Sequence, residues 1–568
     1  MEIADPGLPS DEPSRRERLM LGVCPALALV TPLLEAYGTL AIPLFAWQAA
    51  ALAGSLAALG LCLGLAAAWL MPSAVHRPLR DGAFCAVLTV SAVAVLDVSA
   101  GGHALLMAAA PGSRMARLVV LLAAFSGLAG LFWIVRRRIA PVLFVACLAF
   151  FGSTVVKNAG ILSAGSGDTL PDALPPARTS APPFVYLVVD EAMGIEGLRA
   201  VPGGHALASE LLDLLTRRGF RTHGGAFSRH VVSARSIPNV LNFDFRDDSH
   251  GAIVRHEIAG KVKSALFSAL AARGYEVISY GTTHIDFCFN ETVRCEVLPS
   301  FNPLSPFIVG SRLRSRALVQ VIWSAFTESY LMYRYGEFLV SLIGEALPSG
   351  LTALDTYAFP RWFDRLESDI RANPRGRAYF AHLLMPHAPY VFDETCGETG
   401  RFTVAYSLDA HHRLTPAALD AARAAAYKDY LAQYRCLARR LDGLLEQLDR
   451  DPRFADATIV IHGDHGSRIS AGLDAESLSP RDLVDNYSAL YAIRAPGVPP
   501  GYDTRMTSIQ RLTAEYFSGE PLGPDYPTVA IDSREKGQVR VLPMPVPAEL
   551  AGGGSTAPAV TVAEDRTR

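Results

Sequence analysis

Residues 457–469 read ATIVIHGDHGSRI. A short apolar run of this kind reads as a buried strand. Its polar end, Asp464 and His465, falls where open α/β sheets hold their ligand sites, at the carboxyl tips of the strands. A carboxylate beside an imidazole at such a tip is metal-ligand chemistry. The surrounding sequence repeats the pattern. FVYLVVD (184–190) and AYFAHLLM (378–385) are further unbroken apolar strands, and YEVISYG (275–281) and SALYAIRAP (488–496) add two more. Helices alternate with them. One spans about 205–218, with Leu207, Leu211, Leu214 and Leu215 on one stripe and Gly219 as its stop. Another spans about 262–273. A long one runs from Thr415 and Pro416 to about 449, with Tyr430, Tyr434, Leu437, Leu441, Leu444 and Leu448 on one face. Continuous apolar strands between helices predict an α/β domain over 184–542, a mostly parallel sheet sandwiched by helices.

The first part of the chain is different. Up to about residue 156 it is rich in Ala, Leu and Val. It contains five runs long enough for the roughly 20 residues a helix needs to cross a bilayer: about 19–39, 46–70, 83–100, 117–135 and 139–156. Asp97 sits near one end of the third, and Arg136, Arg137 and Arg138 separate the fourth from the fifth. The expectation is an all-α bundle of about five transmembrane helices over 1–156. Arg15, Arg16 and Arg18, then Arg77 and Arg80, then the Arg triplet all fall on one side of such a bundle. The opposite side carries only Arg114, Arg117 and Lys157. The positive-inside rule then puts the N-terminus in the cytoplasm and the large domain outside. That is a multi-pass protein of the cytoplasmic (inner) membrane with a periplasmic or other extracytoplasmic domain. Residues 157–183, rich in Gly, Ser and Pro, read as a flexible linker, and 543–568 as a disordered tail.

A net charge of −3 gives no electrostatic case for nucleic acid. Ionisable residues inside the apolar runs are few, Glu35 and Asp97 chief among them, which disfavours a transporter. Cys288, Cys295, Cys396 and Cys436 lie in the outer domain, an even number in a compartment that permits disulfides. Cys288–Cys295 closes a short loop, and Cys396–Cys436 follows by elimination. The sequence is silent on oligomeric state.

Several segments can complete a site around Asp464 and His465. The first strand ends in Asp190 and Glu191, and the 378–385 strand leads into Pro386 and His387 within MPHAPY. HVVSARSIPN (230–239) offers Ser233 and, as a competitor, Ser236. Acids gathered at one sheet edge repel one another, and a bound cation relieves them. Carboxylates, imidazole and hydroxyl suit a divalent metal, Zn²⁺ or Mn²⁺. Such an ion turns a serine hydroxyl into a nucleophile at neutral pH. Asp190, Glu191, Asp464, His465 and Ser233 are the candidate residues for such a site. His230 and His382 read as packed or solvated residues, and His462 carries no assignment.

VVDEAMG, SARSIPN, MPHAPY and HGDHGS, in that order, resemble the alkaline phosphatase/sulfatase superfamily. With five spans before the outer domain, the chain is similar to membrane-anchored phosphoethanolamine transferases and, more distantly, lipoteichoic acid synthases. The resemblance covers roughly 184–520 and the membrane layout. It implies Glu191, Asp464, His465 and Ser233 as metal ligands, with Asp190 behind them, and Ser233 as nucleophile, in the place of the Thr of a T-A-x-S-x-P context. It also implies His387 as a contact to substrate or to a second metal. The chain departs from the pattern in three places. No His follows His465, and Arg468 stands as a candidate anion-binding group in its stead. Asn239 occupies the place of a disulfide cysteine that flanks the nucleophile in many relatives. SIPNV, from Ser236, has Val240 where formylglycine formation needs Arg. The implied activity is transfer of a phosphoethanolamine- or phosphoglycerol-type group from a membrane lipid donor to a glycan or lipid acceptor. The alternatives are a sulfatase- or phosphatase-type ester hydrolase, and a catalytically inactive binding protein of the same fold.

Overall fold

The structure is a computed structural model. It describes residues 15–39, 47–70, 139–159, 179–244, 264–282, 293–298, 352–403, 415–470, 478–519, 527–533 and 538–546, with a few single positions between them. The described residues fall into two compact units, one within 1–170 and the other within 171–300 and 352–568.

The first unit is helical: α1 (Arg15–Thr39), α2 (Trp47–Leu70) and α3 (Ile139–Lys157). These coincide with the first, second and fifth expected spans. The third and nearly all of the fourth lie outside the described residues, as does the expected tail beyond 546. Counting only the described residues, no helix is long and apolar enough to cross a membrane. α1 packs on both α2 and α3. Small residues set the α1–α2 approach, since a Cβ on Gly64 would stand 2.2 Å from the Gly22 carbonyl oxygen. Glu35 is buried in this unit, paired with Lys157 and accepting from Asn158 Nδ2 at 3.3 Å.

The second unit is built on β1 (Phe184–Val189), whose apolar residues pair in parallel on both sides. Its neighbours are β6 (Arg377–Leu383) and β9 (Thr458–Gly463). The eight-stranded sheet has the order β11 (Gly501–Asp503), β2 (Arg221–His223), β10 (Tyr491–Arg494), β9, β1, β6, β4 (Glu276–Thr282), β5 (Val293–Leu298), and among the described residues β3 (Ala226–Phe227) pairs with β12 (Thr507–Ser508), β7 (Tyr390–Phe392) with β8 (Glu398–Thr403) and β13 (Thr528–Ser533) with β14 (Gln538–Pro543). Within the eight-stranded sheet only β10 runs antiparallel to its neighbours. The mostly parallel sheet expected from the sequence is therefore present.

Pleat alternation assigns the side chains to faces. Tyr186 and Val188 of β1, Phe380 of β6 and Val460 of β9 share one face. They pack with Ile237, Val240 and Leu241 of the helix Ser233–Leu241, Leu266 and Phe267 of the helix Ala265–Ala272, and Ile509 and Leu512 of the helix Ile509–Phe517. Val185, Leu187 and Val189 on the opposite face are equally buried. On that face Tyr379 of β6 donates at 2.8 Å to the Asp369 carbonyl of the helix Thr352–Ala372. The helix Pro416–Arg450 starts where Thr415 and Pro416 predict, with the Thr415 hydroxyl accepting from Ala418 N. Each face is thus covered, which is why the central strands are apolar throughout.

Candidate metal centre

The pleat that builds the core also delivers the polar groups. In register, Val188 lies beside His382 of β6 and His462 of β9. Two residues on, Asp190 and Asp464 leave the tips of adjacent strands on that same face. The helix Ser233–Leu241 packs over this face and brings Ser233, in its first turn, above the carboxylates. Ser236, one turn along, anchors it: its hydroxyl donates to the Asp464 carbonyl at 2.7 Å and meets Ser228 Oγ at 2.8 Å. Ser236 is fully buried and committed to these bonds, whereas Ser233 is half-buried.

Ser233 Oγ donates to Asp190 Oδ2 at 3.3 Å and lies 3.3 Å from His465 Nε2. His465 Nε2 is 3.3 Å from Asp464 Oδ2 and 3.8 Å from Asp190 Oδ1. Those two oxygens are buried without a hydrogen-bond partner. Their companions are not. Asp464 Oδ1 accepts from the Glu191 and His465 amides, each at 3.0 Å, and Asp190 Oδ2 accepts from His382 Nε2 at 3.0 Å. His465 Nδ1 donates to the Gly466 carbonyl at 2.9 Å, so the lone pair is left on Nε2, the tautomer a metal ligand requires. Unpaired buried acceptors are rare and costly. Here two of them converge on a third acceptor, and a cation satisfies all three.

The Asp-His turn is held tightly. A Cβ on Gly463 would stand 2.0 Å from the Ala192 carbonyl oxygen, and one on Gly466 would stand 1.8 Å from that of Asp485. The Asp485 carboxylate accepts from Ser467 Oγ at 2.5 Å and from the Ile469 and Ser470 amides at 2.8 and 2.9 Å.

The electrostatics follow from burial. Burial and then the Asp190 charge raise Asp464 to about 6. Burial pushes Asp190 up too, but the imidazoles of His387, His382 and His465 more than offset it and hold it well below the carboxylate range. The pair titrates as a unit, Asp190 losing its proton first. Burial, then Arg468, lowers His465 to about 4.

Glu191 belongs to the other face. It has φ 62°, and its carboxylate turns away from Asp464. Its Oε1 accepts from Arg468 Nε at 3.1 Å and from a terminal nitrogen of the same guanidinium. Its Oε2 accepts from the Ala388 amide at 3.2 Å. His387 Nε2 lies 3.7 Å from Glu191 Oε1 and 3.3 Å from the Arg468 guanidinium. Behind them the helix Pro416–Arg450 supplies Gln433, fully buried. Its Nε2 donates to the carbonyls of Pro386, His387 and Pro389, and its Oε1 accepts from the amides of Val391 and Phe392 at 2.8 and 3.1 Å. One turn on, Cys436 is bonded to Cys396, as expected. Cys295 is disulfide-bonded too, while Cys288 lies outside the described residues.

Of the expected residues, Ser233, Asp464 and His465 come together, and Glu191, His387 and Arg468 form a second group. Two placements stand out against the expectation. Asp190, expected behind the ligands, lies beside Asp464 and His465, and the Glu191 carboxylate, expected as a ligand, is paired with Arg468. His382, read as packed or solvated, is buried against Asp190. Asp190, His382 and Asp464 each offer a ligand atom within 4.8 Å of the others'. Two ligands of one zinc ion stand at most about 4.2 Å apart, twice the bond length, so small side-chain shifts close the set. The sign that was available is a His inside the apolar strand AYFAHLLM, since a buried polar group needs a partner. Gln433 left no sign, because its bonds cross some 45 residues to one loop.

The chain matches the family model described as Sulfatase over residues 183–493. No curated protein matches it. Among solved structures it is similar to the C-terminal periplasmic domain of EcEptC from Escherichia coli in complex with Zn. That pair is 12% identical, covering 65% of this chain and 96% of that one, with a TM-score of 0.39. It is also similar to the phosphonate monoester hydrolase of Agrobacterium radiobacter (15% identity, 62% and 82% covered, TM-score 0.38). A third is the lipoteichoic acid synthase LtaP from Listeria monocytogenes (12%, 61% and 73%, TM-score 0.31).

Proposed function

The chain belongs to the sulfatase family and is an enzyme of that superfamily, and from this premise we propose that it is a membrane-anchored, metal-dependent transferase acting through Ser233. The group transferred is a phosphoethanolamine- or phosphoglycerol-type unit, the donor a membrane lipid and the acceptor a glycan or lipid. The observation that carries the reading is Ser233 Oγ, 3.3 Å from both Asp190 Oδ2 and His465 Nε2 beside two unpaired carboxylate oxygens. Asp190, Asp464 and His465 are the residues that would hold a divalent ion, Zn²⁺ or Mn²⁺, while His382 orients Asp190. When bound, the ion lowers the pKa of the Ser233 hydroxyl and neutralises charge on the reacting group.

The residues then divide the work. Ser233 Oγ, oriented by its hydrogen bond to Asp190 Oδ2, loses its proton to solvent and attacks the phosphorus. The Oγ–P bond forms as the bond to the leaving alkoxide breaks, and that alkoxide takes a proton from solvent. The acceptor hydroxyl next attacks the phosphorus of the serine ester: its O–P bond forms as the Oγ–P bond breaks, its proton leaves to solvent, and Ser233 Oγ takes a proton back from solvent. Placement in the first helical turn adds the positive end of the helix dipole to Ser233.

Anchoring rests on the sequence. Trp47–Leu70 contains no charged residue over 24 positions, and Leu59, Leu63 and Val145 are more than half exposed. Apolar side chains left outward in numbers mark a surface meant for lipid or protein.

Hydrolysis is the second reading, because nothing in the geometry separates water from a hydroxyl acceptor. Incubating the full chain with labelled phosphatidylethanolamine or phosphatidylglycerol, followed by mass spectrometry of the Ser233 peptide, tests both. A phospho-substituted Ser233 that passes its label to added glycan or lipid supports transfer. Label appearing only in water-soluble product supports hydrolysis. No adduct with either lipid and no turnover contradicts the proposal.

A further inference from the structure

We infer that the helix Pro416–Arg450 aligns the reacting groups, and that Tyr430 is the positioning residue for the turn that carries Asp190. The inference rests on the proposed chemistry at Ser233 and names a residue that reading does not use. The buried face of this helix changes character along its length. Leu437, Leu441, Leu444 and Leu448 line it toward the C-terminal end, and Tyr427, Tyr430, Gln433 and Tyr434 line it before them. All eight are buried, so packing alone asks for apolar side chains throughout. The polar tips fall where the helix passes the loops at the strand ends. Tyr427 donates to Asp485 Oδ1 at 2.9 Å, and Asp485 in turn holds the 467–470 segment. Gln433 holds the loop carrying His387. Tyr430 and Tyr434 hold the turn that follows β1.

That turn needs holding. Asp190 and Glu191 are adjacent carboxylates, and the chain leaves Asp190 Oδ2 3.3 Å from Ser233 Oγ by taking φ 62° at Glu191. A non-glycine residue adopts that conformation at a cost and keeps it where its surroundings fix it. Tyr430 grips both sides of the left-handed residue. Its hydroxyl donates to the Glu191 carbonyl at 2.8 Å and accepts from the Met193 amide at 3.2 Å. Tyr434 donates to the Met193 carbonyl at 2.9 Å. The remaining main-chain groups of the turn look toward the sheet: the Glu191 amide donates to Asp464 Oδ1, the Ala192 amide to the Val189 carbonyl, and the Ala192 carbonyl accepts from the Leu490 amide. The Tyr430 ring is itself fixed, edge to face with Tyr390 at 5.7 Å and with Tyr434 at 5.8 Å. Without its hydroxyl the Glu191 carbonyl and the Met193 amide lose a buried partner. Glu191 then relaxes from its left-handed conformation, and the Asp190 carboxylate swings away from Ser233.

The test is the rate of Ser233 labelling in a single turnover, on the full chain in detergent with labelled phosphatidylethanolamine or phosphatidylglycerol, alongside steady-state kinetics and thermal unfolding. Tyr430→Phe is expected to lower kcat and the labelling rate by about 10- to 100-fold, the scale of a slight misplacement of reacting groups. Its KM is expected to stay near the wild-type value. Tyr434→Phe frees only the Met193 carbonyl and is expected to lower kcat less. Tyr379→Phe is the control. Its buried hydroxyl donates to the Asp369 and Asn373 carbonyls at 2.8 Å each, near the start of β6, so it is expected to lose comparable stability and keep its kcat. Wild-type kcat in Tyr430→Phe would overturn the inference. So would a fall in Tyr379→Phe as large as that in Tyr430→Phe at equal loss of stability. If Tyr430→Phe does not fold, Tyr434→Phe against Tyr379→Phe decides it in the same terms. No label on wild-type Ser233 with either lipid contradicts the proposed function itself, and the inference falls with it.

Discussion

Two groups of similar residues stand side by side at the strand tips, and they are in opposite electrical states. On the face covered by the helix Ser233–Leu241, Asp190 and Asp464 each bury an oxygen with no partner. On the other side Glu191 has both oxygens satisfied, by Arg468 and by the Ala388 amide. The first group is unbalanced until a cation arrives, and the second carries its own. Composition alone does not separate a binding site from an ion pair, since both hold carboxylate and imidazole. What separates them is the accounting of hydrogen bonds, which is complete in one and short in the other.

The sharpest way to break this comparison is to remove the hydroxyl above the unbalanced group. Ser233→Ala is expected to lower turnover by at least about 10³-fold and to abolish the covalent adduct, while metal content stays at the wild-type value. A variant that keeps its rate would move the chemistry elsewhere. Ser236→Ala is expected instead to destabilise the helix seat, because that hydroxyl is fully buried and bonded to the Asp464 carbonyl.

Next in size is the ion itself. Zinc at a hundred times its Kd stabilises a protein by about 2.7 kcal/mol, and thermal unfolding of wild type is expected to show a gain of that order. Asp464→Asn is expected to show none. Affinity is also expected to fall as pH drops through about 6, where Asp464 takes up its proton. Metal stabilisation that survives in Asp464→Asn would place the ion outside the unbalanced group.

The satisfied group is tested through its scaffold. Gln433→Ala strips five bonds from the loop carrying His387. Buried groups left unpaired cost about 1–3 kcal/mol each, partly recovered by relaxation, so a loss of about 2–4 kcal/mol is expected in denaturant titration. KM is expected to rise more than kcat falls, because the loop positions substrate rather than reacting. An unchanged KM with reduced stability would leave Gln433 a purely structural clamp.

The smallest effect concerns protons. Burial lowers His462 to about 4, below its usual 6.5. Between those values the unfolded chain binds more protons than the folded one. This contribution to stability is therefore full above about pH 6.5 and is lost as pH falls toward 4. His223 and His465 act in the same direction. Asp464, raised to about 6, opposes them, its contribution being present below its usual value and lost as pH rises through about 6. His462→Phe keeps the ring stacked near Tyr491 and is expected to flatten the slope by up to about 1.4 kcal/mol per pH unit. An unaltered slope would mean that His462 does not titrate on unfolding.

Much of the sheet was legible in advance. Strands β1, β6 and β9 announce themselves as unbroken apolar runs because both faces are covered, and Thr415–Pro416 marks its helix start by capping chemistry. The ordered set of four motifs located Ser233, Asp464 and His465. What the sequence did not show depends on geometry that no local pattern encodes. Asp190 and Glu191 are adjacent carboxylates, and only the pleat and a φ of 62° decide which of them faces Ser233. His382 acquires its meaning from β1–β6 register. The antiparallel direction of β10 is invisible in an apolar run, since a strand reads alike either way.

The account turns on where a cation settles, and anomalous scattering from zinc-soaked crystals measures that directly. A single strong peak within about 2.5 Å of Asp190 Oδ1, Asp464 Oδ2 and His465 Nε2 is expected. A peak between Glu191 and His387, or no peak at either place, would contradict it.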